Sequence, residues 1–210
     1  MPHFGLQLPS FTFPELSTDL LFDRIAAIAE TAEASGFDSF WVMDHYHQIA
    51  NVGPETDPML EAYTLLAAVA ARTAHVELGA MVTGVTYRNP AFLAKVVTTL
   101  DVVSRGRAIL GIGAAWNEDE SRAYGYDWPP VADRFERLED ALQICTAMLT
   151  SERTTFRGRV HHVDGALNVP QPVRRPPIMV GGNGERKTLR LAAAYADMWN
   201  GFGDPSTIRH

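Results

Sequence analysis

Cysteine is nearly absent from this sequence: Cys145 is the single one in 210 residues. A lone thiol excludes an internal disulfide and fits a reducing compartment. Its neighbours Leu142, Met148 and Leu149 place it in the core face of a helix. Positive charge is scarce as well, with 18 Lys and Arg against 25 Asp and Glu and a formal charge of −7. The densest basic cluster, Arg174-Arg175, stands beside prolines. Nothing is concentrated enough to neutralise a phosphate backbone, so nucleic-acid binding is not expected. No apolar run approaches the ~20 residues that cross a bilayer. The amino terminus lacks the basic stretch and apolar core of a secretory signal. These absences predict a cytoplasmic protein with no membrane partner. What is present is ordinary for a globular chain, 46% hydrophobic and 20% charged. The length suits one domain over residues 1–210.

Strand and helix signals alternate along the chain. Residues 3–8 read as a strand, and 18–35 as an amphipathic helix stopped by Gly36. A strand over 37–42 follows. Asp57-Pro58 then reads as cap and first-turn proline of a helix carrying Leu60, Tyr63, Leu66, Ala67 and Ala70. A strand over 76–82 precedes a second cap-plus-proline start, Asn89-Pro90, whose helix runs to Gly106. The strand over 107–110 leads into a long loop, 116–130. The next helix is expected to be capped by Asp133 with Glu136 three residues on. Residues 154–163 break the rhythm and read as an inserted β-hairpin. A strand over 178–180, a helix over 185–196 and a strand over 197–200 complete the pattern. Alternation of this kind predicts an α/β parallel sheet, of the (β/α)8 TIM-barrel type. Eight units need about 250 residues; only about six are legible, so the barrel is expected to be incomplete, with its C-terminal units missing.

Two strands run into glycine. Ala108-Ile109-Leu110 meets Gly111-Ile112-Gly113-Ala114-Ala115-Trp116, and Ile178-Met179-Val180 meets Gly181-Gly182-Asn183-Gly184 before Glu185-Arg186-Lys187-Thr188. Glycine lets a backbone approach a ligand, and the amides of a following helix bind anions. Both turns therefore point to a phosphate-bearing cofactor, although each is also compatible with a plain tight connection. A dinucleotide fingerprint is excluded, because Trp116 stands where a third glycine is required. The end of the second strand carries Asp44-His45-Tyr46-His47, where a barrel places its chemistry. His-x-His suggests a metal, but no further ligand stands at the ends of the later strands, so none is expected. A turn cap at Asp44 beside an ordinary loop histidine is the plainer alternative; a catalytic or cofactor-contacting pair is preferred.

Several segments together resemble the luciferase-like monooxygenase superfamily, and within it the branch of predicted oxidoreductases that use the deazaflavin coenzyme F420. They are Trp41-Val42-Met43-Asp44-His45, Pro58-Met59-Leu60-Glu61-Ala62-Tyr63, Thr83-Gly84-Val85-Thr86-Tyr87-Arg88-Asn89-Pro90 and Thr99-Leu100-Asp101. Leu110 to Glu118 and Val180 to Leu189 match as well, in the same order and spacing. The resemblance implies a deazaflavin or flavin ring across the open end of the barrel, its tail held by Gly111, Gly113, Ala114, Ala115 and Trp116 together with Gly181, Gly182, Asn183 and Gly184. It further implies a non-proline cis peptide backing the ring, placed by spacing at Met81–Val82 and followed by Thr83.

The implied reaction is hydride transfer at the deazaflavin C5, with His45 as proton donor or acceptor oriented by Asp44. Sugar-phosphate dehydrogenases of the family carry an acidic glutamate about where Trp116 stands. Glu118 is the available substitute, and a sugar-phosphate substrate is not favoured. FMN is the alternative cofactor, in a true monooxygenase or in a shortened, non-catalytic flavin binder. Trp41 and Trp199 are expected in the core, and His161-His162 at the surface. Substrate contacts are assigned to the loop over 49–55, which does not disclose the substrate. Open sheet edges and the resemblance both point to a homodimer.

Overall fold

The computed structural model describes residues 2–208. Its main sheet is parallel and curled, part of a barrel, built from β1 (Gly5–Leu8), β2 (Ser39–Val42), β3 (Glu77–Ala80), β5 (Ala108–Gly113), β8 (Ile178–Gly181) and β9 (Met198–Asn200), in that order across the sheet. A two-residue strand, β4 (Thr83–Gly84), pairs with the far end of β5. Between these strands run helices α1 (Leu21–Ala34), α2 (Ala62–Ala70), α3 (Pro90–Ser104), α4 (Glu118–Ala123), α5 (Val131–Met148) and α6 (Thr188–Tyr195); the short α7 (Pro205–Ile208) follows β9. The inserted hairpin is present as β6 (Arg153–Arg157) and β7 (His162–Leu167), a separate antiparallel pair.

The strand period of two divides the sheet into unlike faces. Phe40, Leu78, Leu110 and Val180 point to the helices and are fully buried in one continuous hydrophobic core. The alternate residues Trp41, Ile109 and Met179 form a second, small cluster on the inner face. Large and absent side chains alternate there. A Cβ at Gly79 would lie 2.5 Å from the Trp41 ring, and one at Gly5 2.8 Å from Trp41 Nε1. Cys145 lies in the outer core, where burial pushes its thiol up to about 12.

Several sequence boundaries need correction. Asp57-Pro58 does not open α2: the helix starts at Ala62, and Glu61 caps it by accepting hydrogen bonds from the Tyr63 and Thr64 amides. Asp57 instead accepts the Thr12 hydroxyl at 2.9 Å. Asp133 lies inside the first turn of α5, whose N-cap is Pro130 with no side-chain cap. Asn89 does cap α3, accepting from the Ala91 and Phe92 amides with Pro90 at the first helical position. Trp199 is 38% exposed rather than core, because β9 is an edge strand with no neighbour on its far side among the described residues. His161 is not freely at the surface; burial pulls its pKa down, while His162 is exposed.

Candidate active site

The carboxyl ends of β2, β3, β5 and β8 surround a cavity of about 270 Å³. Its floor is the Met81–Val82 segment, which leaves β3 and carries a cis peptide bond at the position expected from the sequence. The Met81 amide donates to the Val42 carbonyl at 2.8 Å, and Thr83 and Gly84 then pair with Ile112 and Gly113 of β5. The crossing is close because the strands beneath lack side chains. A Cβ at Gly181 would lie 2.7 Å from Val82 Cγ2, and one at Gly113 3.0 Å from the same atom.

That packing changes the reading of the first glycine segment. Gly111 and Gly113 belong to buried strand β5 rather than to a turn. A Cβ at Gly111 would fall 2.2 Å from the Ala80 carbonyl oxygen, so this glycine serves strand contact and does not line the cavity. Gly113, Ala114, Ala115 and Trp116 do line it. Ala115 takes a left-handed conformation, φ +60°, which brings Trp116 out over the opening, 63% exposed. In the second segment Gly181 and Gly182 reach the cavity, whereas Asn183 and Gly184 do not. The Asn183 amide is engaged with the Phe202 backbone: its oxygen accepts the Phe202 N–H at 2.7 Å and its nitrogen donates to the Phe202 carbonyl. The helix expected to follow directly begins only at Thr188.

The pair after β2 is split between two partners. Asp44 is 3% exposed and receives both arms of Arg88, at 2.8 and 3.0 Å, and the Gly84 amide at 3.2 Å. Burial pushes the Asp44 carboxyl up; the guanidinium and the Gly84 amide oppose that. Burial pulls Arg88 down, but Asp44 together with Tyr63 and Tyr46 raises it overall, and it keeps its charge. It also contacts Glu61 at 2.6 Å and lies over the Tyr63 ring. Asp44 does not orient His45: its partners are Arg88 and the Gly84 amide, and the His45 ring bonds Glu120 instead.

His45 is held from the other side. Its Nδ1 lies 2.8 Å from Oε2 of Glu120, a residue with no exposed surface. The same carboxylate accepts the Tyr46 amide at 2.6 Å, the His47 amide at 3.2 Å and the Tyr87 hydroxyl. Burial would raise the Glu120 pKa, but the His45, Tyr87 and Tyr46 contacts bring it down to about 2. Tyr87 moves upward, from burial and from donating to that carboxylate. The His45 ring lines the cavity and meets Trp116 edge-on, with centroids 5.5 Å apart.

Glu118, the carboxylate named from the sequence, is not in the cavity. It lies on the exposed side of α4, paired with Arg122 at 2.8 Å. The missed residue is Glu120, two positions on. A usable signal was there: Asn117 followed three residues later by glutamate is a helix-start pattern. Asn117 does cap α4, accepting the Glu120 amide at 3.3 Å, while the Glu120 side chain turns inward to His45.

Beyond Trp116 and Asn117 the cavity adjoins an open groove of about 1010 Å³. One wall is formed by residues 47–55, which include the 49–55 loop assigned to substrate. Among the described residues no cluster of His, Cys, Asp and Glu is arranged to hold a metal ion, and no helix is long and apolar enough to cross a membrane.

Comparison with known proteins gives a consistent picture. The family model described as luciferase-like monooxygenase matches residues 2–209. The chain is 35% identical over 162 residues to a protein named F420-dependent glucose-6-phosphate dehydrogenase from Kineococcus radiotolerans, covering 77% of this chain and 47% of that one. A protein of the same name from Intrasporangium calvum is 36% identical over 168 residues, covering 79% and 48%. The chain thus spans about half the length of the curated relatives it matches. Among solved structures, an F420-dependent secondary alcohol dehydrogenase holding an F420–acetone adduct superposes with TM-score 0.83 at 25% identity, over 99% of this chain and 60% of the other. A monooxygenase from Streptomyces bottropensis superposes with TM-score 0.76 at 26% identity, over 91% and 57%.

Proposed function

The chain belongs to the luciferase-like monooxygenase family, and on that premise we propose that it is an oxidoreductase passing a hydride between coenzyme F420 and a small alcohol or carbonyl compound. The observation that carries this reading is the His45 ring on the cavity wall, anchored from behind by a buried carboxylate and facing the space above Met81–Val82. When bound, the deazaflavin supplies hydride acceptance and release at its C5 carbon. The residues present fit such a group. Met81 and Val82 offer an apolar floor for a flat ring, and Trp116, Phe135 and Phe202 offer apolar walls. An anionic tail would run out past Gly182 toward the start of α6, where Thr188 lines the cavity and Lys187 lies 5.3 Å over the Phe135 ring.

The chain's own residues divide the work. Trp116, exposed at the mouth between cavity and groove, is covered by a bound ligand and keeps water from the ring. Arg88 and Asp44 hold the strand ends in register. His45 holds or takes the proton that accompanies hydride movement, a role to which an imidazole is suited. The loop over 49–55 contacts substrate. The edges of β1 and β9, unpaired among the described residues, favour a homodimer, tested by light scattering, and a cytoplasmic location goes with this reading.

A fluorescence titration of the purified protein with coenzyme F420 and, separately, with FMN tests the reading. Micromolar deazaflavin binding with weaker FMN binding is expected. Failure to bind either would overturn it. Tighter FMN binding, with oxygen consumption from reduced FMN, would instead support a monooxygenase, the second reading favoured by the likeness to the Streptomyces enzyme. In the loaded protein, His45→Ala should lower turnover about a hundredfold. Binding with no turnover in the wild type would leave a non-catalytic flavin binder.

A further inference from the structure

The geometry points to Glu120 as the residue that decides which nitrogen of His45 carries the proton, keeping Nδ1 protonated and presenting Nε2 as the proton-accepting atom. This rests on the proposed hydride-transfer reading for its use, though not for its test. Three donors other than His45 already converge on the Glu120 carboxylate: the Tyr46 amide, the His47 amide and the Tyr87 hydroxyl. A group so surrounded is an ionised acceptor with no proton to give. The low Glu120 pKa agrees with this. The hydrogen in the 2.8 Å contact therefore belongs to Nδ1 of His45. In the neutral ring Nε2 is then left as a lone pair, and it makes no hydrogen bond to the described residues while the ring lines the cavity.

Glu120 is a positioning residue, since it acts through His45 and does not touch the cavity. In the oxidation direction the substrate O–H bond breaks and its proton moves to Nε2. The adjoining C–H bond breaks with its electron pair, which leaves as hydride to the deazaflavin, and a carbonyl forms. His45 is then a cation 2.8 Å from an anion, so the charge it gains is balanced in place. In the reverse direction Nε2 returns the proton. Neither oxygen of Glu120 has to be protonated at any stage. The side chain is fixed for this work because its backbone is held in α4 under the Asn117 cap.

Nitrogen-15 NMR of the imidazole rings in the unliganded wild-type protein tests the assignment directly, with His45 identified by the signals lost in His45→Gln. The expected result, at a pH where the ring carries a single proton, is that proton on Nδ1. A ring protonated on Nε2 would overturn the proposal, and this measurement needs no variant to fold. In Glu120→Gln the carboxamide can donate, so a large shift toward the Nε2-protonated form is expected. Tyr87→Phe removes a donor to Glu120 but leaves its charge, so His45 should stay protonated on Nδ1. With F420 bound, Glu120→Gln should lower kcat about a hundredfold, while KM and cofactor Kd stay within about threefold. Unchanged kcat in a variant whose tautomer has shifted would overturn the proposed role. Wild-type protein that shows the Nδ1-protonated ring yet binds no F420 would support the Glu120 assignment and sink the cofactor reading.

Discussion

Two carboxylates flank the same short segment, and they are bound in opposite ways. Asp44 faces a permanent cation, Arg88, through two short contacts in a site 1% and 9% exposed at the two side chains. Glu120 faces His45, whose charge depends on protonation, along with a hydroxyl and two amides. The first arrangement is a bidentate pair that pins the end of β2 to the segment after β4. The second can hold a fixed anion beside a ring that gains and loses a proton. Neighbouring residues just past the end of β2 thus meet different partners, Asp44 the Arg88 guanidinium and His45 the Glu120 carboxylate.

The largest effect expected from breaking this contrast comes from Arg88. Arg88→Met leaves Asp44 buried with one amide and no counter-charge, a loss of about 3–5 kcal/mol in stability. Urea unfolding monitored by tryptophan fluorescence measures it. The double variant Arg88→Met with Asp44→Asn removes the stranded charge, so it should be less destabilised than the single one. Equal losses in the two would show that Arg88 acts through packing on Tyr63 and contact with Glu61.

The Glu120 cluster is broken by acid instead. Its pKa is depressed to about 2 in the folded protein, against an ordinary glutamate value near 4.3 when unfolded. A depressed carboxylate contributes stability that is fully present above the unfolded value and is lost as pH falls toward the folded one. The wild type should therefore lose about 3 kcal/mol through this group between roughly pH 4.5 and 2. Glu120→Gln, less stable at neutral pH, should lack that part of the acid loss. Parallel pH profiles for the two proteins, from urea midpoints, would contradict the assignment.

Much of the architecture was legible because it rests on short-range signals. Asn89-Pro90 caps α3 as expected, since a cap and its amides lie within three residues. The hairpin showed itself by alternation; the bond at Met81–Val82 was implied by the family resemblance, and spacing from Leu78-Gly79 only located it. Asp57-Pro58 misled because the same local signal also suits an irregular loop, and Glu61 satisfies the helix amides from four residues on. The site was legible only where the chain meets itself nearby. Arg88 is 44 residues from Asp44, and Glu120 is 75 from His45. No spacing rule connects such pairs; they are joined by the parallel sheet, which brings the ends of β2, β4 and β5 together. Gly111 shows the converse, since a glycine demanded by strand contact and one demanded by a ligand look alike in sequence.

The smallest effect should come from Glu118, and it sharpens the contrast most economically. Glu118 and Glu120 lie on one six-residue helix, two positions and therefore about 200° apart around it. That rotation sends Glu118 to solvent, where its partner Arg122 is itself 62% exposed at the side chain. An exposed i,i+4 pair contributes roughly 0.3–0.5 kcal/mol. Glu118→Gln should therefore leave unfolding midpoints nearly unchanged, F420 binding unaltered and turnover within about twofold of wild type. A tenfold loss of turnover with binding intact would show that α4 rotates when ligand is bound and that Glu118, not Glu120, then serves His45.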